Sequence, residues 1–426
     1  MDYKGLKKLY YSNQSDQKKF DDIVALRKNN EVTIYVNLQM HPFSKKQQER
    51  VSNKYFDIFY VPNKEMQLLE EKIYSNSLLI NHNLLDIPKV AINQLFMNNL
   101  IDELQSTNDI EGVHSSKSEL SNTLDHIIKY KNSNKRFNGL VTQYLNFQKN
   151  QYNKIDNIKD FRMIWDKLVK AEIDDDNLPD GKKFRKKNVL IEDGKSNKIV
   201  HVGDYNEDQI TNDLNMLVKE MNDESLPYLP KCFIAHFFYE YVHPFYDGNG
   251  RTGRFIICSY LSRKLDPFSA ITFSSAIAEN KNKYYRAFSE MEDEKNYGEA
   301  TLFIMSMMNL LILGQEKIIA NINEDKKQFD RAKEIIDQLN IGNSAISKKI
   351  GKKIGKNIIS ILFQNHIFGT YLPPLTDKSL ANILNITRYK LNKSINYLEK
   401  KKLLEVVKKS PKTHKLSENL IKKLSN

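Results

Sequence analysis

HPFYDGNGRTGR, residues 243–254, gathers three of the chain's 15 glycines, one histidine, one aspartate and two arginines into twelve positions. A tight turn accounts for the glycines alone. The order of the polar residues asks for more. His243 ends the aromatic, apolar run Phe233 to Val242, and Pro244 keeps that helix from continuing. Phe245 is apolar and plugs the loop into a core. Gly248-Asn249-Gly250 frees backbone N–H groups at the start of the next helix, where Arg251 and Arg254 share one face. Arginines are disfavoured at the positive end of a helix dipole, so two of them beside exposed N–H groups define an anion pocket, with phosphate the natural anion. Asp247 beside phosphates is the residue type that holds a bridging Mg²⁺. A histidine at the mouth can accept a proton from an attacking group.

Every specified position of this stretch matches the Fic signature, His-x-Phe-x-Asp/Glu-Gly-Asn-Gly-Arg-x-x-Arg, so the chain resembles Fic domains over roughly residues 100 to 320. The resemblance implies a helical core and transfer of a nucleotide monophosphate, usually AMP from ATP, onto a protein hydroxyl. It implies that His243 deprotonates the target Tyr, Ser or Thr, and that Asp247 holds Mg²⁺ on the α- and β-phosphates. Gly248, Asn249 and Gly250 would form the anion hole, with Arg251 on the β-phosphate and Arg254 on the γ-phosphate. The segment Lys198, Ile199, Val200, His201 and Val202 resembles the family's flap, which aligns the target by strand-like pairing. Tyr284 and Tyr285 stand where the family commonly lines its adenine pocket.

Upstream, Thr107 to Gly112 fits the Ser/Thr-x-x-x-Glu-Gly/Asn motif of family members with an inhibitory helix. The implied role is that Glu111 pairs with Arg254 and keeps ATP in an unproductive pose. Arginine–carboxylate pairing is strong when shielded from water. In some members the same glutamate is thought to assist the reverse reaction, de-AMPylation.

Apolar residues recur at helical spacing along most of the 426-residue chain, which predicts a mainly α protein. Residues 1–90 read as a polar head with two strand-like runs, Glu31 to Leu38 and Lys54 to Val61, and helix is expected from Val90. Residues 91–320 are assigned to the Fic domain, with the inhibitory helix around 100–115 and a hairpin flap at Asn188 to Gly203. Thr301 to Gly314 is apolar but shorter than the roughly 20 residues of a membrane span and reads as a core helix. A charged helical linker follows over 321–350.

Residues 351–426 carry 16 Lys and Arg against 4 Asp and Glu, while the other 350 residues carry 49 of each, so the whole net charge of +12 sits in this segment. Its pattern reads as helix, turn, basic helix and strand pair, a winged helix-turn-helix whose usual acidic partner is nucleic acid, DNA here, with a protein-interaction module as the alternative. Two cysteines, Cys232 and Cys258, are too few for a disulfide framework, and the N-terminus has no apolar run, so a cytoplasmic protein with no membrane contact is expected.

The leading expectation is a self-inhibited protein adenylyltransferase using ATP and Mg²⁺, acting on a target protein or on itself, with a homodimer left open. The alternative is a DNA-binding transcriptional regulator whose Fic domain serves mainly as a nucleotide sensor. His243 favours the enzyme, since a sensor needs no base. A third possibility changes the transferred group to UMP, phosphocholine or phosphate.

Overall fold

The computed structural model describes residues 3–14, 16–130, 135–192, 194, 196–339, 341 and 348–425. These are mostly helical, with eight short strands in four antiparallel pairs among the described residues. Two helices, α1 (Leu6–Ser12) and α2 (Gln17–Lys28), precede the first strands. β1 (Ile34–Met40) pairs with β4 (Phe56–Tyr60), and between them β2 (Phe43–Ser44) pairs with β3 (Glu49–Arg50). The two strand-like runs of the sequence are therefore partners. Alternation buries Val36, Leu38 and Met40 on one face of β1.

Helix begins well before Val90. α3 (Lys64–Leu84) starts at Asn63, whose side chain accepts from Met66 N at 2.9 Å. It buries Met66, Ile73, Ile80 and Leu84, but Leu68, Leu78 and Leu79 are exposed on it. Apolar residues on both faces blur the helical period, which is why the sequence pattern missed this helix.

α4 (Lys89–Ile110), α5 (Lys117–Tyr130), α6 (Asn138–Gln148) and α7 (Ile158–Leu168) lead to the hairpin β5 (Leu190–Glu192) and β6 (Ile199–Val202). Then come α8 (Glu207–Met221), α9 (Tyr228–Val242), α10 (Asn249–Lys264), α11 (Pro267–Ala270), α12 (Phe273–Glu279) and α13 (Lys281–Met291). α9 is buried almost all round, as its aromatic composition requires.

α14 (Thr301–Gln338) is one helix of 38 residues that joins the apolar run to the first part of the charged segment. By length and composition it could cross a membrane, but 61% of its most apolar window is buried in the fold, as befits a core helix packed against α3. Of the linker expected over 321–350, the part to Gln338 continues α14 and buries Phe329, Ala332, Ile335 and Ile336; residues 340 and 342–347 lie outside the described residues.

The C-terminal segment is built of α15 (Lys348–Phe368), α16 (Asp377–Leu384), α17 (Arg388–Lys400), the pair β7 (Leu404–Lys409) and β8 (Lys412–Leu416), and α18 (Glu418–Ser425). Thr376 and Thr387 cap α16 and α17 through their side chains. The segment docks on α4: Gln94 donates to Asn365 and Asn98 to the carbonyl of Phe368, both at 2.9 Å.

Candidate functional site

α9 ends at His243, whose backbone adopts the left-handed region (φ 53°, ψ 62°) while its N–H still bonds Tyr239 O at 3.0 Å. Phe245 is fully buried and stacks on Trp165 with ring centroids 4.7 Å apart. The Asn249 side chain bonds both the N–H and the carbonyl of Phe245, at 2.9 and 2.7 Å. Its amide is thereby committed to closing the loop, so what Asn249 can offer an anion is backbone. Gly248 caps α10 at φ 80°, and a Cβ there would lie 2.8 Å from Val169 Cγ2 and 3.0 Å from Trp165 Nε1. Trp165 Nε1 donates to Asp247 O at 2.9 Å. The loop is thus shaped by packing, and the first turn of α10 keeps the N–H groups that no intrahelical carbonyl reaches.

Both arginines are 1% exposed and both are already paired. Arg254 donates to Thr107 Oγ1 (2.9 Å), to Thr107 O (3.0 Å) and to Glu111 Oε1 (2.9 Å). Glu111 caps the C-terminus of α4 and lies on the first turn of α10: a Cβ at Gly250 would sit 2.2 Å from its Oε1. The helix start therefore already faces an anion, the carboxylate of Glu111. Arg251 is held by Glu172 at 3.0 Å, with Asp247 Oδ1 3.9 Å away. Burial pushes the Glu172 carboxyl up to about 7 despite Arg251 beside it. Glu240, next to Arg254 and Glu111, is pushed up to about 8 by burial and by Glu111.

His243 Nδ1 lies 3.3 Å from the carbonyl of Glu240 and 3.9 Å from its Oε2. A carbonyl only accepts, so Nδ1 carries the hydrogen and Nε2 presents its lone pair. Burial, then the charges of His201 and Arg185, lower the imidazole to about 3, so the ring is neutral at neutral pH.

The flap segment divides by side. Lys198 and Val200 are exposed; His201 and Val202 are buried. The His201 side chain is engaged on the inner side, with Nδ1 2.9 Å from both Glu292 oxygens and Nε2 3.1 Å from Tyr241 O. The backbone N–H of Ile199 donates to Gln48 at 3.0 Å, so the turn between β2 and β3 covers part of the β6 edge. The tyrosine pair also divides. Tyr284 is in the core, its hydroxyl 2.7 Å from His236 Nε2, whereas Tyr285 is half-exposed and donates to Ile110 O beside Glu111. Tyr284 thus has no exposed face for an adenine, contrary to the sequence expectation.

The sequence reading missed Glu172, Glu240, Arg185, Arg50 and Glu292. Only Glu240 carried a local signal, three residues before His243 on the same helix. The others arrive from distant segments.

Residues 156–261 match the Fic/DOC family, and this Fic/DOC domain contains HPFYDGNGRTGR but not Glu111, Tyr284 or Tyr285. Among solved structures, the chain is similar to a Fic family protein from Desulfovibrio desulfuricans G20, at 16% identity over 84% of this chain and 98% of that one, with a TM-score of 0.49. It is also similar to a Fic domain containing signaling protein from Bacteroides thetaiotaomicron VPI-5482, at 16% identity over 61% and 95% of the two chains (TM-score 0.43). A segment of Fic-1 from C. elegans shares 18% identity over 60% of this chain and 73% of its own length (TM-score 0.41).

Proposed function

We propose that the protein is an adenylyltransferase that moves AMP from ATP to a Tyr, Ser or Thr hydroxyl of a target protein or of itself, and that Glu111 restrains it. The observation that carries this reading is a helix start flanked by two buried arginines with a neutral imidazole at the other end of the same loop. His243 Nε2 accepts the hydroxyl proton as the oxygen attacks the α-phosphorus. The bond from that phosphorus to the bridging oxygen breaks, and pyrophosphate leaves with its charge facing Arg251 and Arg254. For Arg254 to serve, Glu111 must yield to the γ-phosphate. For Arg251 to serve the β-phosphate, its pairing with Glu172 must loosen or Glu172 must carry a proton.

The residues fit a divalent cation: Asp247 is a single carboxylate with a 45% exposed side chain at the edge of the anion pocket, as suits a Mg²⁺ whose other ligands are phosphates and water. Such an ion would neutralise phosphate charge as pyrophosphate departs. Two buried free thiols, Cys232 and Cys258, agree with a cytoplasmic setting.

The test is transfer of label from α-labelled ATP to protein. Glu111→Gly increases it and His243→Ala abolishes it; intact-mass analysis with each nucleotide identifies the group added.

A second role is supported by the C-terminal segment. α17 buries Leu391, Ser394, Ile395 and Leu398 and exposes Arg388, Tyr389, Lys390, Asn392, Asn396 and Lys400. Asn and Arg side chains are readers of base edges, and the neighbouring pair β7–β8 adds exposed Lys408, Lys409 and Lys412. We read this as a winged-helix surface for duplex DNA. The regulator-only alternative predicts DNA binding with no label transfer from the Glu111→Gly protein.

A further inference from the structure

Arg185 is fully buried, and no sequence motif draws attention to it. Its side chain meets the end of α9 where the helix leaves carbonyls without partners. Nε donates to His243 O at 2.8 Å and Nη2 to Val242 O at 3.2 Å, while its own backbone N–H donates to Pro244 O at 3.3 Å. One residue thus takes three consecutive carbonyls around the proposed base. Its Nη1 donates to Asp204 O at 2.6 Å and to Lys187 O, tying the loop before β5 and the loop after β6 to the same point. Gly203 belongs to this arrangement: a Cβ there would lie 2.5 Å from Arg185 Nη2 and 3.1 Å from His243 Cβ.

His243 needs such a hold. A residue with a Cβ is disfavoured in the left-handed region and stays there only where its surroundings dictate it. The guanidinium fork suits the task, since its donors are planar and fixed, whereas a lysine ammonium cannot serve several carbonyls in one plane. A cation at a helix C-terminus also complements the dipole.

Resting on the adenylyltransferase reading, we infer that Arg185 is a positioning residue, which fixes the backbone of His243 so that the imidazole faces the reacting hydroxyl. The same charge acts on the ring. The groups around His243 are Glu240 from α9, His201 from β6 with Glu292 behind it, Arg50 from β3, and Arg185. Arg185 is one of the cations that lower the His243 imidazole, and burial brings Arg185 itself to about 10, so it stays charged at neutral pH.

The experiment compares Arg185→Lys and Arg185→Gln in the Glu111→Gly protein. Lysine keeps the charge and loses the fork; glutamine loses both. Displacement of a catalytic group by about 1 Å can cost on the order of 100-fold, so kcat falls roughly 10- to 100-fold in both, with the KM for ATP changed less than about twofold. The His243 ring titration, followed by NMR, moves to higher pH in Arg185→Gln and stays in Arg185→Lys. The titration needs no transfer activity, so it distinguishes failure of this inference from failure of the adenylyltransferase reading. Unchanged kcat in both variants overturns the inference, as does an unmoved His243 titration in Arg185→Gln. If neither variant folds on its own, Arg185→Ala with added guanidinium ion decides: kcat rises with guanidinium if the inference holds and does not respond if it does not.

Discussion

Replacing Glu111 with glycine removes one carboxylate from Arg254 and leaves the arginine otherwise held. Arg254 keeps its two bonds to Thr107, at 2.9 and 3.0 Å, so the guanidinium stays in place for a phosphate. Breaking a fully buried ion pair costs about 3–5 kcal/mol. Here the Glu111 side chain is 25% exposed and Arg254 retains two acceptors, so about 1–2 kcal/mol is expected. For a chain of 426 residues that lowers Tm by roughly 1–2 °C, at about 1 °C per kcal/mol. The gain lies in nucleotide handling. A charge-assisted hydrogen bond between Arg254 and a terminal phosphate contributes about 1.5–3 kcal/mol once no carboxylate competes for it. At 1.4 kcal/mol per tenfold this predicts a rise in label transfer of roughly 10- to 100-fold. The assay is incorporation of α-labelled ATP into protein at subsaturating nucleotide, with a melting curve on the same sample. A variant that melts about 1–2 °C lower, binds Mg-ATP and labels no faster than the parent would refute the competition between Glu111 and the nucleotide.

Glu172→Gln is expected to lower the KM for ATP several-fold at pH 8 and little at pH 6. The Glu172 carboxyl sits near 7, so rising pH adds negative charge beside Arg251 in the parent and not in the variant; a pH-independent KM in the parent sinks this idea. Glu240→Gln is expected to stabilise the fold at pH 8 and not at pH 4. A carboxyl raised from 4.5 to about 8 binds more protons folded than unfolded, so the parent loses stability as pH rises through that window, by at most about 5 kcal/mol; parallel melting curves of parent and variant across pH would contradict it. Duplex DNA binding in gel shifts should weaken steeply with salt, and Arg388→Ala or Lys409→Ala should each reduce the logarithmic salt slope by about 1 if the residue meets a phosphate. No retardation at low salt would reassign the C-terminal segment to another partner.

Much of the fold was legible where one residue pattern served one purpose. α9 (Tyr228–Val242) holds the aromatic, apolar run that His243 ends, and β1 and β4 overlap the two strand-like runs Glu31 to Leu38 and Lys54 to Val61. The pattern failed at α3, where Leu68, Leu78 and Leu79 are apolar but face solvent. It also split α14 in two, because its apolar first half lies in the core and its charged second half is only partly buried.

The sequence by itself determined the loop HPFYDGNGRTGR and its chemical content, since a helix stop, glycines, an acceptor and two guanidiniums follow one another within a few bonds of chain. It also determined the localisation of the basic charge. The pairing of Glu111 with Arg254, 143 residues apart, was expected only through the family resemblance, and it forms because α4 ends against the first turn of α10. Only the tertiary structure decided the other partnerships. Glu172 on Arg251 and Arg185 beneath His243 have no signature in local spacing, because a buried ion pair or a set of carbonyl bonds needs only proximity in space, which packing of separate helices supplies. The same reason removed Tyr284 from the exposed site: its hydroxyl found a buried partner in His236 that the chain order could not reveal.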